Sequence, residues 1–151
     1  MTWRSTRTRI GRRTHRKSVS CGVVICRGAL LQCFARRQTV IALSSGEAEW
    51  YAACSTVAEA LHLLSLLDFL GHPGIIWLYA DSTAAKGIGR RQGVGRLRHL
   101  ATKTLWLPQL ILDVKMRKVL GLENGGDIGT KAHDGPRLKF LVELIGMVNS
   151  A

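Results

Sequence analysis

The amino-terminal part of this sequence has no acidic residue. Residues 1–46 contain ten of the 22 arginines and lysines, and the first acid in the chain is Glu47. The other twelve basic residues (22 − 10) stand against all ten acids, so the rest of the chain carries only +2 of the total net charge of +12. A basic end on a nearly neutral body favours a polyanionic partner, with nucleic acid as the first candidate.

Three further absences narrow the class of protein. The longest unbroken apolar runs fall far short of the about 20 residues that cross a bilayer, so we expect a soluble protein without a membrane partner. No C-x-x-C pair occurs, so we interpret the four cysteines as reduced core residues of an intracellular protein, cytoplasmic or nuclear. No internal repeat is found, and 151 residues predict one domain.

Residues 1–15 are rich in arginine and hydroxyl residues and show little hydrophobic periodicity. We predict a basic, disordered leader here. An organelle transit peptide is an alternative that fits the lack of acids but not the lack of an apolar face. The eroded start of a domain is a third. We predict that arginines of this leader and two arginines of the glycine-rich segment 87–95 contact the phosphates of a nucleic acid. These residues are Arg4, Arg7, Arg9, Arg12, Arg13, Arg90 and Arg91.

The longest helical pattern begins at Ser44, which forms a predicted capping box with Glu47. Helical steps from Glu49 give an apolar stripe, so Glu49 is predicted to point towards the core. The same steps from Glu47 give a wetter face that includes Tyr51. The helix is predicted to end near Leu70. The apolar stripe consists of Ala53, Val57, Ala60, Leu61 and Leu64.

Shorter patterns before and after this helix predict an α/β protein. Residues 19–26 and 29–35 indicate a hairpin. Residues 75–81 indicate a buried strand that ends on Asp81. A further helix is predicted from His99 to about Met116, followed by a short strand over 118–122. A terminal helix is predicted over 136–148, with the apolar residues Leu138, Leu141, Leu144, Ile145 and Val148.

Three carboxylates, on Glu49, Asp81 and Asp127, each stand at the end of a predicted element. Clustered carboxylates repel each other and persist where a hard cation neutralises them. Carboxylate oxygens suit Mg²⁺, and two such ions about 4 Å apart promote in-line phosphodiester cleavage. From spacing alone, scattered surface acids remain the simpler interpretation, with Asp81 as a helix cap and His99 as a structural residue.

Several blocks, in order, resemble the ribonuclease H domain of copia-type retrotransposon polyproteins. Residues 39–52 resemble its long ALSS-x-EAEY-x-A motif, and residues 81–85 are similar to its D-x-x-(S/A)-A block. Arg98 and His99 match an R-(H)-(I/L) block, and residues 123–131 match N-x-A-D-x-L-T-K. Upstream, residues 16–24 resemble the R-(R/K)-S-T-S-G-G-V hairpin start.

This resemblance implies a ribonuclease H-like domain over residues 16–148, with a mixed five-stranded sheet flanked by helices. It implies an RNA·DNA hybrid as substrate, two Mg²⁺ or Mn²⁺ ions as cofactors, and an upstream reverse transcriptase domain in an intact polyprotein. By motif match, Glu49, Asp81 and Asp127 take the second, third and fourth metal-binding catalytic positions. His99 is at most a minor contributor.

The first catalytic position of that family, an aspartate on the first strand, has no counterpart here. No acid precedes Glu47, so we expect the first strand to be lost or eroded and catalysis to be impaired. Gly125, Gly126 and Gly129 also replace better helix formers around Asp127, at a cost of up to ~1 kcal/mol each, so we expect Asp127 to be poorly held. A non-catalytic basic nucleic-acid-binding remnant is the alternative, and a decayed gene product without a selected role is a third hypothesis.

Overall fold

The computed structural model describes residues 2–4, 8–9, 17–80 and 114–147. Two α-helices lie in this part, α1 (Ser45–Phe69) and α2 (Gly135–Leu144), with 3₁₀ helices at Gly121–Glu123 and Gly125–Gly129. The described part is therefore a small α/β protein, as predicted. Its strands are β1 (Thr2–Arg4), β2 (Thr8–Arg9), β3 (Val19–Cys26), β4 (Ala29–Arg37), β5 (Ile76–Ala80) and β6 (Val114–Lys118).

The hairpin of β3 and β4 is confirmed. Its two-residue turn places Arg27 at φ 50° and Gly28 at φ 87°. Two successive positive φ values match the right-handed twist of the flanking strands, which is why such turns dominate short hairpins. Glycine adopts this conformation without cost, and Arg27 is the described non-glycine residue that accepts it.

Strand β3 has partners on both of its edges. β4 pairs along its whole length, from Val19 to Cys26. β1 pairs antiparallel with Val23–Ile25, and β2 pairs antiparallel with Val19 and Ser20. Because β4 occupies one edge completely, β1 and β2 share the other edge, with their registers offset by one residue.

The sheet continues from β1 in the parallel direction. Thr2 of β1 pairs with Trp77 of β5, and β5 pairs in parallel with β6 over five residues. The described strands thus occupy five lateral positions in a mixed sheet, in the order β4, β3, β1 together with β2, β5, β6.

A first strand is present where the sequence led us to expect its loss. Thr2–Arg4 and Thr8–Arg9 lie within the predicted leader and pair with β3. Backbone hydrogen bonds hold such a strand without any acidic side chain, and threonine has a high strand propensity. The other residues of the 1–15 segment lie outside the described part of the chain.

Helix α1 packs on the sheet face that carries Gly22 and Val24. Trp50 and Val57 of α1 are fully buried in this layer, together with Ile76 and Leu78 of β5. The opposite face has a second apolar cluster, in which Ile145 joins the β3 side chains of Cys21, Val23 and Ile25. The core therefore lies on both sides of β3.

Of the four cysteines, all of which are described and all of which are thiols, only Cys21 and Cys54 are buried. Cys26 is half-buried and Cys33 is exposed. The interpretation of all four as core residues is thus wrong for two of them, because most side chains of β4, including Cys33, are open to solvent and Cys26 lies at the end of β3 beside the hairpin turn.

By length and mean hydropathy, α1 could cross a membrane. In this structure, however, α1 is buried against the protein itself. Its first four turns pack on the sheet, and its buried residues all lie between Gly46 and Ala60. The last turns are open, and Phe69 is 86% exposed. The helix ends at Phe69, with Gly71 at φ 80° just beyond it, as the sequence predicted.

The carboxyl-terminal third differs most from the prediction. Val114–Lys118 is a strand, so the helix predicted to reach Met116 and the strand predicted over 118–122 are both wrong there. Residues 114–118 form a strand because they pair in parallel with β5. Gly121–Glu123, within the predicted strand, is a 3₁₀ helix. Helix α2 is confirmed but ends at Leu144, and Leu138 is 44% exposed rather than buried. Val148 lies outside the described residues.

Candidate functional site

The start of α1 is fixed by the predicted capping box. The backbone N–H of Glu47 donates to Ser44 Oγ at 3.1 Å. In return, Glu47 Oε2 accepts the backbone N–H of Leu43 at 2.8 Å, one residue before the cap. Two amide groups at the helix start that have no partner within the helix are thereby satisfied.

The two glutamates of this turn differ in burial from the prediction. Glu47 is 1% exposed and Tyr51 is 6% exposed, so the predicted wetter face is wrong for these two residues. It is confirmed further along the helix, where Ser55 and His62 of the same face are exposed. Burial of the Glu47 carboxylate is tolerated because it is used as a cap. Glu49 is half-buried rather than fully turned inward, and its stripe residues Ala53 and Val57 are buried as predicted.

Gln38 ties the start of α1 to the start of β3. Its Nε2 donates to the carbonyl oxygen of Ala48 at 2.7 Å and to Ser20 Oγ at 2.9 Å. Its backbone N–H also donates to Ser18 O at 2.7 Å. The turn that carries Glu49 is therefore held beside the first residues of β3.

Asp127 lies in the 3₁₀ helix Gly125–Gly129 and is 2% exposed. Its Oδ2 forms an ion pair with Lys131 Nζ at 2.7 Å. A ring nitrogen of His133 lies 2.8 Å from its carbonyl oxygen. The helix start is capped by Asn124, whose Oδ1 accepts the N–H of Gly126 at 3.1 Å. Asp127 is thus firmly held, against our expectation from the surrounding glycines.

Gly129 has a packing reason to be glycine. A Cβ atom at this position would lie 2.7 Å from Cys21 Sγ and 3.0 Å from Ala35 Cβ. The 3₁₀ helix that carries Asp127 can therefore approach β3 and β4 closely only without a side chain here. This contact places Asp127 near the same end of β3 as the start of α1, but on the opposite sheet face.

The carboxyl end of β5 also lies at the end of the sheet where β3 begins. Thr2 pairs with Ile25 of β3 and with Trp77 of β5. Because β5 runs antiparallel to β3, Ala80 lies about level with Gly22 by extension of this register. Residue 81 follows directly in the sequence.

Three element ends therefore converge where β3 begins. They are the first turn of α1 with Glu49, the 3₁₀ helix with Asp127, and the last residue of β5, Ala80. An ion shared by these elements would have to sit beyond the edge of the sheet, because α1 and the 3₁₀ helix lie on its two faces.

Most of the other nominated residues fall outside the described part. They are Asp81, His99, Arg7, Arg12, Arg13, Arg90 and Arg91. For Arg4 and Arg9 the backbone is described, in β1 and β2. Among the described residues alone, no group of three or more potential metal-binding side chains is found. A set that includes Asp81 is not tested by this search.

The donor types present suit a hard cation, but the described residues bring only two carboxylates to this end of the sheet. Glu49 and Asp127 offer oxygen ligands of the kind Mg²⁺ prefers. One oxygen of Asp127 already contacts Lys131, which neutralises part of its charge. The sequence supplies no acid before Glu47 that could bridge two ions. The described residues thus fit weak cation binding and not a complete two-ion centre.

A patch of basic and aromatic residues on β5 and β6 was not predicted from the sequence. In this Trp77 patch (Trp77, Lys115, Arg117), the guanidinium carbon of Arg117 lies 4.0 Å from the indole centroid, and Lys115 Nζ lies 5.1 Å from it. Both cations are exposed. Apolar and basic residues alternate with a period of two in residues 114–118, which is typical of a strand. This pattern could have indicated the patch, but the segment was assigned to the predicted helix.

Among curated proteins, the chain is similar to the retrovirus-related Pol polyprotein from transposon TNT 1-94 of Nicotiana tabacum. The sequences are 28% identical over 137 residues, which cover 88% of this chain and 10% of the relative. The chain thus spans about a tenth of the length of the curated relative that it matches. No family model and no solved structure matches. The comparison supports a distant relation to retrotransposon Pol polyproteins.

Proposed function

We propose that this chain is a ribonuclease H-like domain of the copia-type Pol class that binds RNA·DNA hybrids and hydrolyses their RNA strand poorly or not at all. The observation that carries the proposal is the convergence of three element ends at the start of β3. Two of them hold Glu49 and Asp127, and Asp81 follows the third in sequence.

The fold is compatible with this proposal. The resemblance implies a mixed sheet of five strands flanked by helices, and the described strands occupy five lateral positions with both parallel and antiparallel pairs. The similarity to a Pol polyprotein supports the same origin. An upstream reverse transcriptase domain, as a partner within a longer polyprotein, belongs to the proposal.

Impaired hydrolysis follows from the donor set. When bound, divalent ions in such a centre activate water and stabilise the leaving oxygen. Glu49, Asp81 and Asp127 would hold Mg²⁺ or Mn²⁺, but no carboxylate is available to bridge two ions. We therefore expect one weakly bound ion and hybrid cleavage close to background.

Hybrid binding rests on charge. The net charge of +12 lies mainly in residues 1–46, and the Trp77 patch adds exposed cations on the sheet. Such groups contact phosphates and fix the position of a nucleic acid without reading its sequence. An A-like hybrid would be recognised by groove shape and 2′-hydroxyls.

The experiment is a paired binding and cleavage assay on a labelled RNA·DNA hybrid with Mg²⁺ or Mn²⁺. We expect binding that weakens steeply with salt, because released counterions drive it, and cleavage near background. Efficient cleavage that is lost in Glu49→Gln would contradict the impaired site. Failure to bind the hybrid at low salt would contradict the whole assignment.

A non-catalytic nucleic-acid-binding remnant is the second candidate, favoured by the charge asymmetry of residues 1–46. It predicts equal affinity for hybrid, duplex DNA and single strands of the same length. The ribonuclease H-like proposal predicts a preference for the hybrid that persists when Mg²⁺ is removed.

The double variant Lys115→Ala with Arg117→Ala should make binding less dependent on salt. The slope of log affinity against log salt concentration should fall by about 0.9 per lost duplex phosphate contact, and Lys139→Ala on α2 is the matched control.

A further inference from the structure

We propose that Cys33 and Cys21 form a peroxide-sensitive thiol pair, in which Cys33 is the reactive thiol and Cys21 the resolving thiol. The inference is independent of the nuclease proposal. It concerns two of the four cysteines, on the face of the β3–β4 hairpin that also packs against the 3₁₀ helix of Asp127.

The strand register brings these thiols together. Cys21 of β3 pairs with Ala35 of β4, and Cys33 of β4 pairs with Val23 of β3. Cys21 and Cys33 are therefore diagonal cross-strand neighbours on one sheet face, with Cα atoms about 7–8 Å apart. An interaction between the two side chains is the largest cause of the pKa shift of each thiol.

The two thiols differ in exposure, which assigns their roles. Cys33 is exposed on β4, whereas Cys21 has no exposed surface and lies beneath Gly129. A dissolved oxidant can reach the first and not the second. The interaction with the Cys21 side chain lowers the pKa of Cys33 to about 7, although partial burial of Cys33 opposes this shift. The same interaction, reinforced by burial, raises the pKa of Cys21.

The other cysteines lack this arrangement. Cys54 is 5% exposed within α1, and burial raises the pKa of its thiol. Cys26 pairs with Ala29 beside the hairpin turn and is half-buried. Since thiolate character and access control oxidation, Cys33 is the expected first target.

The chemistry is a two-step oxidation by a hydroperoxide. The Cys33 thiolate attacks the peroxide, the O–O bond breaks, and Cys33 sulfenic acid and hydroxide form. The Cys21 sulfur then displaces the hydroxyl group of the sulfenic acid, so that a disulfide and water result. Each disulfide formed consumes one peroxide and reduces it to two equivalents of water or hydroxide.

The disulfide should be easily reduced. Diagonal neighbours in an antiparallel pair have Cα atoms about 7–8 Å apart, whereas disulfides usually span 4.4–6.8 Å. The bond would therefore require the two strands to move closer together, and strained disulfides have the more oxidising potentials of labile pairs. Reversible oxidation is therefore expected rather than a permanent structural bridge.

The test treats the purified full chain with hydrogen peroxide at pH 7 and maps its peptides by mass spectrometry. We expect an intramolecular link between Cys21 and Cys33 that dithiothreitol removes. Cys33 should react roughly threefold faster than an ordinary exposed thiol, because its larger thiolate fraction is partly offset by lower nucleophilicity.

Variants separate the roles of the two thiols. Cys21→Ser should stop the reaction at a dimedone-reactive sulfenic acid on Cys33, and Cys33→Ser should prevent the link. Cys26→Ser is the matched control and should behave as the unaltered chain. The kinetics of the unaltered chain keep the proposal testable if Cys21→Ser fails to fold. Oxidation that favours Cys26, or a link that never joins Cys21 to Cys33, would overturn it.

Discussion

At the residue scale, Gly22 lies where α1 and the sheet pack closely together. A Cβ atom on Gly22 would lie 2.5 Å from a ring carbon of Phe34 and 2.5 Å from Thr56 Oγ1. Both neighbours are buried, so neither can move away freely. The absence of a side chain at residue 22 therefore sets the distance between helix and sheet.

Gly22→Ala should consequently lower the free energy of unfolding by about 1–3 kcal/mol, the usual cost of overpacking a core. Urea denaturation followed by circular dichroism measures this change. Gly135→Ala is the matched control, because a Cβ there would meet nothing within 4 Å, and it should leave the stability unchanged or raise it by up to about 1 kcal/mol. Equal stability of the Gly22→Ala variant would show that helix and sheet are less tightly packed than described.

Glu59 provides the clearest pH dependence at this scale. Hydrogen bonds from Gln32 and Arg36 lower the pKa of the Glu59 carboxyl below its ordinary value of 4.5, although burial opposes the shift. A lowered pKa in the folded chain means that the ionised form is stabilised by folding. This contribution is present above the ordinary value and disappears as the pH falls through the folded one.

Glu59→Gln should therefore reduce the free energy of unfolding at pH 7, by no more than about 1 kcal/mol because the Arg36 side chain is mostly exposed. The difference between variant and unaltered chain should shrink as the pH falls below 4.5 and through the lower pKa of the folded chain. Denaturation curves at pH 7 and pH 3.5 measure it. A difference that is the same at both values would contradict the ionic origin of the effect.

At the element scale, the capping box of α1 connects sequence and site. The Ser44–Glu47 pair was readable because its geometry depends on neighbours in sequence, and the structure confirms it. It fixes the first turn, and with it the position of Glu49. Stability of this turn therefore bears directly on the candidate site.

Ser44→Ala should cost about 1 kcal/mol of stability, since it removes the acceptor for the N–H of Glu47. Thermal denaturation measures the loss, and Ser45→Ala, which changes an exposed residue one position further on, is the control. Comparable losses in both variants would mean that the hydroxyl of Ser44 is not a cap.

The elements that the sequence predicted well are those set by local rules. The hairpin turn, the span of α1 and its end before Gly71 all follow from caps, turn residues and periodicity. The segment 114–122 was predicted wrongly because its structure depends on parallel pairing with β5, a partner more than thirty residues away. Periodicity in one segment carries no information about such a partner.

Parts of the candidate site were hidden for the same reason. Glu49 and Asp127 were found from their places at element ends and from motif resemblance. The burial of Asp127 was not predicted, and Glu49 was predicted to point further inward than it does, since burial depends on contacts between distant segments. The reason for Gly129 became clear only from the position of Cys21 beneath it. The thiol pair of Cys21 and Cys33 likewise arises from strand register, which spacing along the chain does not reveal.

At the scale of the whole molecule, charge has two roles. Among the described strands, β4 and β6 form the outer positions of the sheet, and both carry exposed basic residues. Such residues discourage edge-to-edge association, and they also favour a polyanionic partner. These basic residues are Arg36, Arg37, Lys115, Arg117 and Lys118.

The proposed site requires three acids distant in sequence to meet at one place, and the described elements that carry or precede them lie at the same end of the sheet. β3 acts as the reference for this arrangement, because α1, the 3₁₀ helix of Asp127 and β5 are each positioned against it directly or through β1. Cation binding should therefore require all three elements together.

The most direct test is titration of the isotope-labelled chain with Mn²⁺, observed as paramagnetic broadening of backbone amide signals in NMR spectra. The account predicts that amides next to Glu49, Asp81 and Asp127 broaden together, that Asp127→Asn weakens all three effects, and that amides next to Glu59 on the same helix remain sharp. Broadening around one of the three acids alone, or as strong around Glu59, would contradict a shared cation site.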